Sequence, residues 1–545
     1  MVQTRCLVFA KLGCVVFSPR QQHYEDLALG ISHQTVSVWS NIRALDYLES
    51  RGDVDPSRIG VCGASGGGLQ TQMLCAVDPR PAAAVIVGMT CEFREILFPY
   101  AAHCACNHFP GVLRFADGPE LSALGLPRPV LYLTMDDWTR RFAEANFPAI
   151  RDLYEANGAG GRVSAAYEPT EHTYDRSKRE RTYRWMETWL RGEEPPERTI
   201  EPAELETFAP RELEELSLDL PGRNAFERVS RIFERERCPE PPRFASREAW
   251  ERWRSAMASG LREILGEDTV LPRRARVPER IDSRERDGIL FETIDFPSEG
   301  PIRVPAILLR PKSAAGRLPV EIVLDGRGKE AALRDGGPEG PAALARSGRL
   351  VAAIDARFSG ELSFERLGEA LGPELSDFRP ASPLGRPRDP AAAAEAARKA
   401  WEPNAIVFGR PLAALAATDL RAVLDAVLAR PDADAARVRV AGRGSGEAAA
   451  AALFASVLDP RIGSVEVDLE GRSFRGRDLA LVPSILRLGD VYEWAAALAD
   501  REVVLRGAPE DPERRSWLEG AREMLGKSAT LPAARGRPSG RPQVR

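Results

Sequence analysis

Short apolar runs alternate with longer Ala- and Leu-rich stretches along two portions of the chain. In the first portion, residues 14–18, 59–62, 83–87, 129–134 and 163–167 have the length and bounding turn residues of buried strands. Helices are predicted between them near 36–49, 67–76, 146–157 and 178–190. The second portion predicts strands near 320–324, 350–354, 438–441, 464–468 and 502–506. Strands separated by helices imply mostly parallel sheets covered on both faces, an α/β architecture. The apolar stretch from Cys6 to Phe17 reads as a helix end, a Gly13 turn and a buried strand. Lys11 and Gly13 interrupt it, and no small-residue cleavage site follows.

The two portions repeat one another. Leu45, Asp46, Arg51, Asp53, Asp55 and Arg58 recur in register as Leu424, Asp425, Arg430, Asp432, Asp434 and Arg437, an offset of 379 (Leu45 to Leu424). A second block, Pro110, Leu113, Arg114, Asp117 and Glu120, recurs as Pro483, Leu486, Arg487, Asp490 and Glu493, an offset of 373 (Pro110 to Pro483). Two blocks in one order at nearly one offset predict two copies of a single fold. The expected organisation is a catalytic domain over 1–192, a charged helical connector over 193–283, a degenerate copy over 284–527 and a disordered tail over 528–545. The alignment of Ala10 to Gly13 with Ala345 to Gly348 leaves the first copy without the N-terminal strands of the second, so it is expected to be truncated there.

The chemistry concentrates at Gly63-Ala64-Ser65-Gly66-Gly67, between a strand and a helix. This is G-x-S-x-G in the strand–turn–helix setting that a nucleophile elbow requires. Side chains flanking the serine are expected to clash with neighbouring backbone, and the Gly66 amide is placed to stabilise a developing oxyanion. A serine hydroxyl needs a base, normally a histidine held by a carboxylate, in the chain order Ser, acid, His. All five histidines precede residue 173, and His172 lies in the loop after strand 163–167, where the base belongs. His103 and His108 fall before the acid strand, and His23 and His33 precede the serine. Asp136 and Asp137 follow strand 129–134, and either could orient His172. In the second copy Gly444 aligns with Ser65, Ser445 stands one position late, and no histidine follows His172, so that copy is expected to be inert.

Residues 9–192 resemble the acetylxylan esterase and dienelactone hydrolase branch of the α/β-hydrolases. The resemblance is carried by Gly63-Ala64-Ser65-Gly66-Gly67-Gly68, Arg128-Pro129, Asp137-Trp138-Thr139, and Arg179-Glu180 to Trp185. The second half is similar through Val304-Pro305-Ala306 and Ala353-Ile354-Asp355. The resemblance implies two α/β-hydrolase-type domains, a catalytic set of Ser65, Asp137 and His172 with Gly66 at the oxyanion, a carboxylic-ester substrate such as an acetylated or methylated sugar, and no cofactor. In that family an H-G-x-G loop gives the second oxyanion donor. Asp325-Gly326-Arg327-Gly328 stands there in the second copy and has no counterpart in the first. Losing one such donor costs roughly 10²–10³ in turnover.

Composition narrows the classes that remain. A net charge of −5 with both signs interspersed gives no footprint for nucleic acid or a membrane surface. Seven of the eight cysteines lie between Cys6 and Cys106, which is no disulfide framework for a chain of 545 residues. Cys104 and Cys106 beside His103 and His108 match no zinc spacing, so no metal is expected. The expected partner is a small-molecule or carbohydrate ester, with a homo-oligomer left open and a cytoplasmic location for the sequence as given. Two other readings compete: a peptidase related to prolyl oligopeptidases, and a non-catalytic scaffold of two degenerate hydrolase folds.

Overall fold

The computed structural model describes residues 2–19, 24–97, 104–192, 200–209, 225–272, 277–366, 398 and 401–528. These divide into two compact units, one built from described residues up to Val229 apart from Leu27–Gly30, the other from those four and the described residues from Ser230 onward.

The first unit holds a sheet of four parallel strands in chain order: β1 (Gly60–Ala64), β2 (Ala83–Val87), β3 (Val130–Thr134) and β4 (Val163–Tyr167). Alternate residues of each strand enter different cores, as the two-residue period of a strand requires. Ala84, Ile86, Val130 and Tyr132 pack with Cys75 of α3 (Gly66–Val77) and with Ile150 and Tyr154 of α4 (Phe147–Ala156). Ala83, Val85, Val87, Leu131 and Leu133 pack on the opposite face with Phe9 of α1 (Val2–Lys11) and Met186 of α5 (Arg176–Met186). α2 (His33–Ser50) begins in a capping box between Ser32 and Thr35.

Residues 14–18 differ from the expectation of a buried strand. The chain leaves α1 through Gly13 at φ 87° and takes up no regular secondary structure over 14–19; it pairs with no strand among the described residues, and Val15, Val16 and Phe17 are exposed. An apolar run encodes the tendency to be covered and not the presence of a neighbour.

The second unit carries an eight-stranded mixed sheet in the order β12-β11-β10-β8-β9-β7-β6-β5. β8 (Leu318–Asp325), β9 (Leu350–Ile354), β10 (Ala433–Arg443), β11 (Ser464–Asp468) and β12 (Glu502–Arg506) are parallel. β5 (Glu279–Arg286), β6 (Ile289–Pro297) and β7 (Arg303–Pro311) add antiparallel pairs. α6 (Arg247–Ile264), α7 (Leu412–Leu428) and the almost wholly buried, Ala-rich α8 (Gly446–Leu458) belong to this unit.

Similar side-chain contacts are found within each of the two units, at offsets of 373, 379 and 381. Arg128 donates to the carbonyls of Cys75, Asp78 and Pro81, and Arg501 donates to those of Ser456, Asp459 and Ile462. Arg80 joins Asp78 and Asp46, and Arg461 joins Asp459 and Asp425. Asp117 forms a capping box with Glu120 and accepts from the Phe93 amide, while Asp490 does the same with Glu493 and the Phe474 amide. These residues tie backbone to backbone across loops, so the recurrence is one of tertiary design and not only of composition.

Candidate active site

β1 ends in a tight turn in which Ser65 adopts φ 55°, ψ −123°, a region a residue with a Cβ occupies only under strain of about 1–3 kcal/mol. The turn is pinned by the Ser65 amide donating to Val87 O at 2.8 Å and by the Leu69 amide donating to Ser65 O at 3.0 Å. Glycine is obligatory at 63, where a Cβ would lie 2.2 Å from Gly67 O, and at 68, where it would lie 2.8 Å from Val87 O. At Gly67 a Cβ would meet nothing within 4 Å, so the expected clash on that side of the serine does not arise. Although Ser65 immediately precedes α3, its hydroxyl makes no capping hydrogen bond to the helix. Ser445 at the start of α8 is different: it is extended, at φ −156°, and its side chain accepts from the Ala448 amide. The positive φ at that second turn belongs to Gly444, at 79°.

His172 Nδ1 lies 2.6 Å from Asp137 Oδ2. A carboxylate only accepts, so the proton of a neutral ring sits on Nδ1 and leaves a lone pair on Nε2. Asp137 is nearly fully buried, and its other oxygen accepts from the Thr139 amide at 2.7 Å and the Thr139 hydroxyl at 2.6 Å. Asp136 instead accepts from the Tyr167 hydroxyl at 2.6 Å, a bond that raises the Tyr167 pKa, and Arg140 lies 3.5 Å from the same carboxylate. Of the two aspartates, the structure therefore brings Asp137 to the imidazole and turns Asp136 toward β4. Ser65, Gly66 and His172 line one cavity of about 1360 Å³ within the first unit.

Several further residues support the His172–Asp137 pair. The Trp138 ring lies 4.4 Å from the His172 ring, centroid to centroid, and its indole donates to Gly88 O at 3.1 Å. A Cβ on Gly88, at φ 63°, would approach His172 Cε1 to 3.2 Å and Asp137 Oδ2 to 3.4 Å, so the bend after β2 makes room for the pair. The loop carrying His172 is tied to β3 by the Asp136 amide donating to Thr170 O at 2.9 Å. It is tied to α5 by the fully buried Lys178, whose Nζ reaches Thr170 Oγ1 at 2.5 Å and Asp175 Oδ2 at 2.6 Å. Burial pushes the Asp175 carboxyl up, but the Lys178 hydrogen bonds and charge outweigh it and hold the group below its ordinary value. The run Asp137-Trp138-Thr139 is visible as a motif; Gly88 and Lys178 carry no sequence signal. His108 pairs with Glu25 at 3.2 Å, His33 lines the cavity, and His23 and His103 lie outside the described residues.

No family model matches the chain. Over 158 residues it is 26% identical to a Bacillus subtilis (strain 168) protein named "Putative hydrolase YtaP", a stretch equal to 28% of this chain and 53% of that one. The chain thus spans about half the length of this curated relative. Among solved structures it is similar to one titled "putative acetyl xylan esterase" from Bacteroides fragilis NCTC 9343, at 17% identity and a TM-score of 0.43, over 55% of this chain and 78% of that one. It is also similar to a glucuronoyl esterase from Solibacter usitatus, at 15% identity and a TM-score of 0.36, over 54% of this chain and 86% of that one.

Proposed function

We propose that the first unit is a serine esterase of the α/β-hydrolase type, in which Ser65 attacks the ester carbonyl, His172 takes and returns the proton, and Asp137 orients the imidazole. The observation that carries this reading is the 2.6 Å His172–Asp137 bond together with a strained Ser65 that lines the same cavity as His172. The strain has a function here: a serine forced to φ 55° and free of helix capping keeps its Oγ for chemistry. The Gly66 amide, at the first turn of α3, is the oxyanion donor, favoured by the helix dipole. Water then resolves the acyl-enzyme, and no step needs a cofactor. The hydrolase name of the Bacillus subtilis relative agrees with this reaction class. An acetylated or methylated sugar is the substrate class that the resemblance around Ser65 and Asp137-Trp138-Thr139 supports. The recurring contacts support the view that the second unit is a copy of the first, and its glycine at position 444 that it runs no such chemistry.

A serine-directed fluorophosphonate tests the reading on the full chain. Labelling at Ser65, lost in Ser65→Ala together with hydrolysis of a small activated acetate ester, is the expected result. A chain that resists the probe while remaining folded is a scaffold and not an esterase.

A further inference from the structure

β5 is the outer strand of the second unit's sheet. It pairs with β6 on one side, no strand pairs with its other edge among the described residues, and all eight of its residues are exposed. An open edge invites pairing with another chain, and charges and bulges are the usual means of preventing it. β5 carries both. Its sequence Glu-Arg-Ile-Asp-Ser-Arg-Glu-Arg holds three acids and three bases, and its register against β6 slips by one residue at Ile281. Directly opposed residues of an antiparallel pair share a face of the sheet. Arg280, Ser283 and Glu285 stand opposite Ile294, Glu292 and Leu290, and so share one face. Glu279, Asp282, Arg284 and Arg286 stand opposite Asp295, Thr293, Phe291 and Ile289, and share the other. Within the chain Glu285 pairs with Lys312 at 2.7 Å and Asp282 with Arg284 at 2.9 Å, exposed contacts of little strength that a facing strand can share.

We propose that β5 is the contact edge of a two-fold homodimer, in which a second copy of this chain lays its own β5 antiparallel along the open edge. The charges of the strand are self-complementary about Ser283. With Ser283 facing the partner's Ser283 on the two-fold axis, Asp282 stands opposite the partner's Arg284. Continued without a bulge, that register would bring Arg280 against the partner's Arg286. The extra residue at Ile281 advances it by one, so that Arg280 meets the partner's Glu285 and Glu279 meets the partner's Arg286, each pair on a common face. Every charge of the strand then faces its opposite across the junction, and the symmetry makes each pair twice. The adjacent registers set like charges at closest approach: centring on Asp282 puts Asp on Asp, and centring on Arg284 puts Arg on Arg. The charges and the bulge thus exclude foreign strands and spare this one partner. Pairing joins the two eight-stranded sheets into one continuous sheet. One eight-residue strand from each copy makes a small, polar interface, so the dimer is weak and sensitive to salt.

Sedimentation velocity of the full-length chain over a range of concentrations tests this. A monomer–dimer equilibrium is expected, with a dissociation constant that rises about tenfold or more between about 0.01 M and about 1 M salt. Amide hydrogen exchange within 279–286 should slow as the dimer forms. Asp282→Arg and Arg284→Asp are changes at exposed positions whose ion pair is with each other. Each sets like charges on both sides of the two-fold axis and should weaken self-association about tenfold or more. Mixed in equal amounts, the two single variants should pair with one another about as tightly as the parent pairs with itself, which also shows that both remain folded. The double variant Asp282→Arg with Arg284→Asp should regain the homodimer. A parent that stays monomeric at every concentration and salt would overturn the proposal. So would a dimer that neither single change weakens, or one that leaves exchange at 279–286 unaltered. Two weakened variants that fail to pair with each other would overturn the register about Ser283.

Discussion

Asp136 and Asp137 stand side by side after β3 and end in different environments. The extended chain turns there, so one carboxylate faces the His172 loop and the other faces Tyr167. Asp137 accepts three hydrogen bonds, two from Thr139 and one from the imidazole, which fixes both its oxygens. In the proposed esterase, Asp137→Asn keeps the shape but presents an amide that stabilises the wrong imidazole tautomer. Turnover is expected to fall by about 10⁴, as at comparable triads. Asp136→Asn keeps an acceptor for Tyr167 and should turn over at close to the parent rate. Steady-state hydrolysis of an activated acetate by the two variants checks this, and the reverse ranking would move the acid to Asp136.

At the scale of elements, Lys178 of α5 ties together the two ends of the loop between β4 and α5. The ammonium is fully buried and satisfied by Thr170 and Asp175, on either side of His172. In Lys178→Met these two partners lose their donor, and the loop loses the tie that sets the imidazole. A shift of about 1 Å at a catalytic group costs on the order of 10² in rate, so kcat should fall about that far while KM changes little. The stability loss should depend on pH. Asp175 is held below its ordinary value in the parent, so its contribution is present above the usual carboxylate range and is lost as pH falls through the lowered value. The urea midpoint of Lys178→Met should therefore lie further below the parent at pH 7 than at pH 3. An equal gap at both would remove Asp175 from the account. Lys178→Arg retains charge and should recover part of kcat. The sequence announces such elements unevenly. β2, β4, β9, β11 and β12 match the expected strands residue for residue, because each is short, rich in β-branched or small apolar residues and bounded by turn residues. β5 gave no signal, since every residue from Glu279 to Arg286 is exposed. Residues 14–18 gave a false one, since pairing depends on a distant segment. Ser65 was legible because steric exclusion at Gly63 writes itself into the sequence, whereas the partners of Lys178 are polar residues of ordinary kind.

Across the whole molecule, one set of tertiary contacts is used twice and only one set of reactive groups. The two arginines that clamp three carbonyls each, and the two aspartate capping boxes, hold equivalent loops in both units. The turn after the strand differs between the two units. Asp325 is fully buried against Gly444 and paired with Arg327 and Arg443, so charge fills the place that a nucleophile would need. Gly444→Ser would put a Cβ 2.2 Å from Asp325 Oδ1 at φ 79°, and the only histidines in the chain lie at or before residue 172. Introduced into a Ser65→Ala background, this change should restore no ester hydrolysis and no fluorophosphonate label. Crowding and strain should lower stability by at least about 1–3 kcal/mol, measured by urea unfolding. Turnover regained by the double variant would show that the second unit holds a base outside the histidines, and would end the view of it as an inert copy.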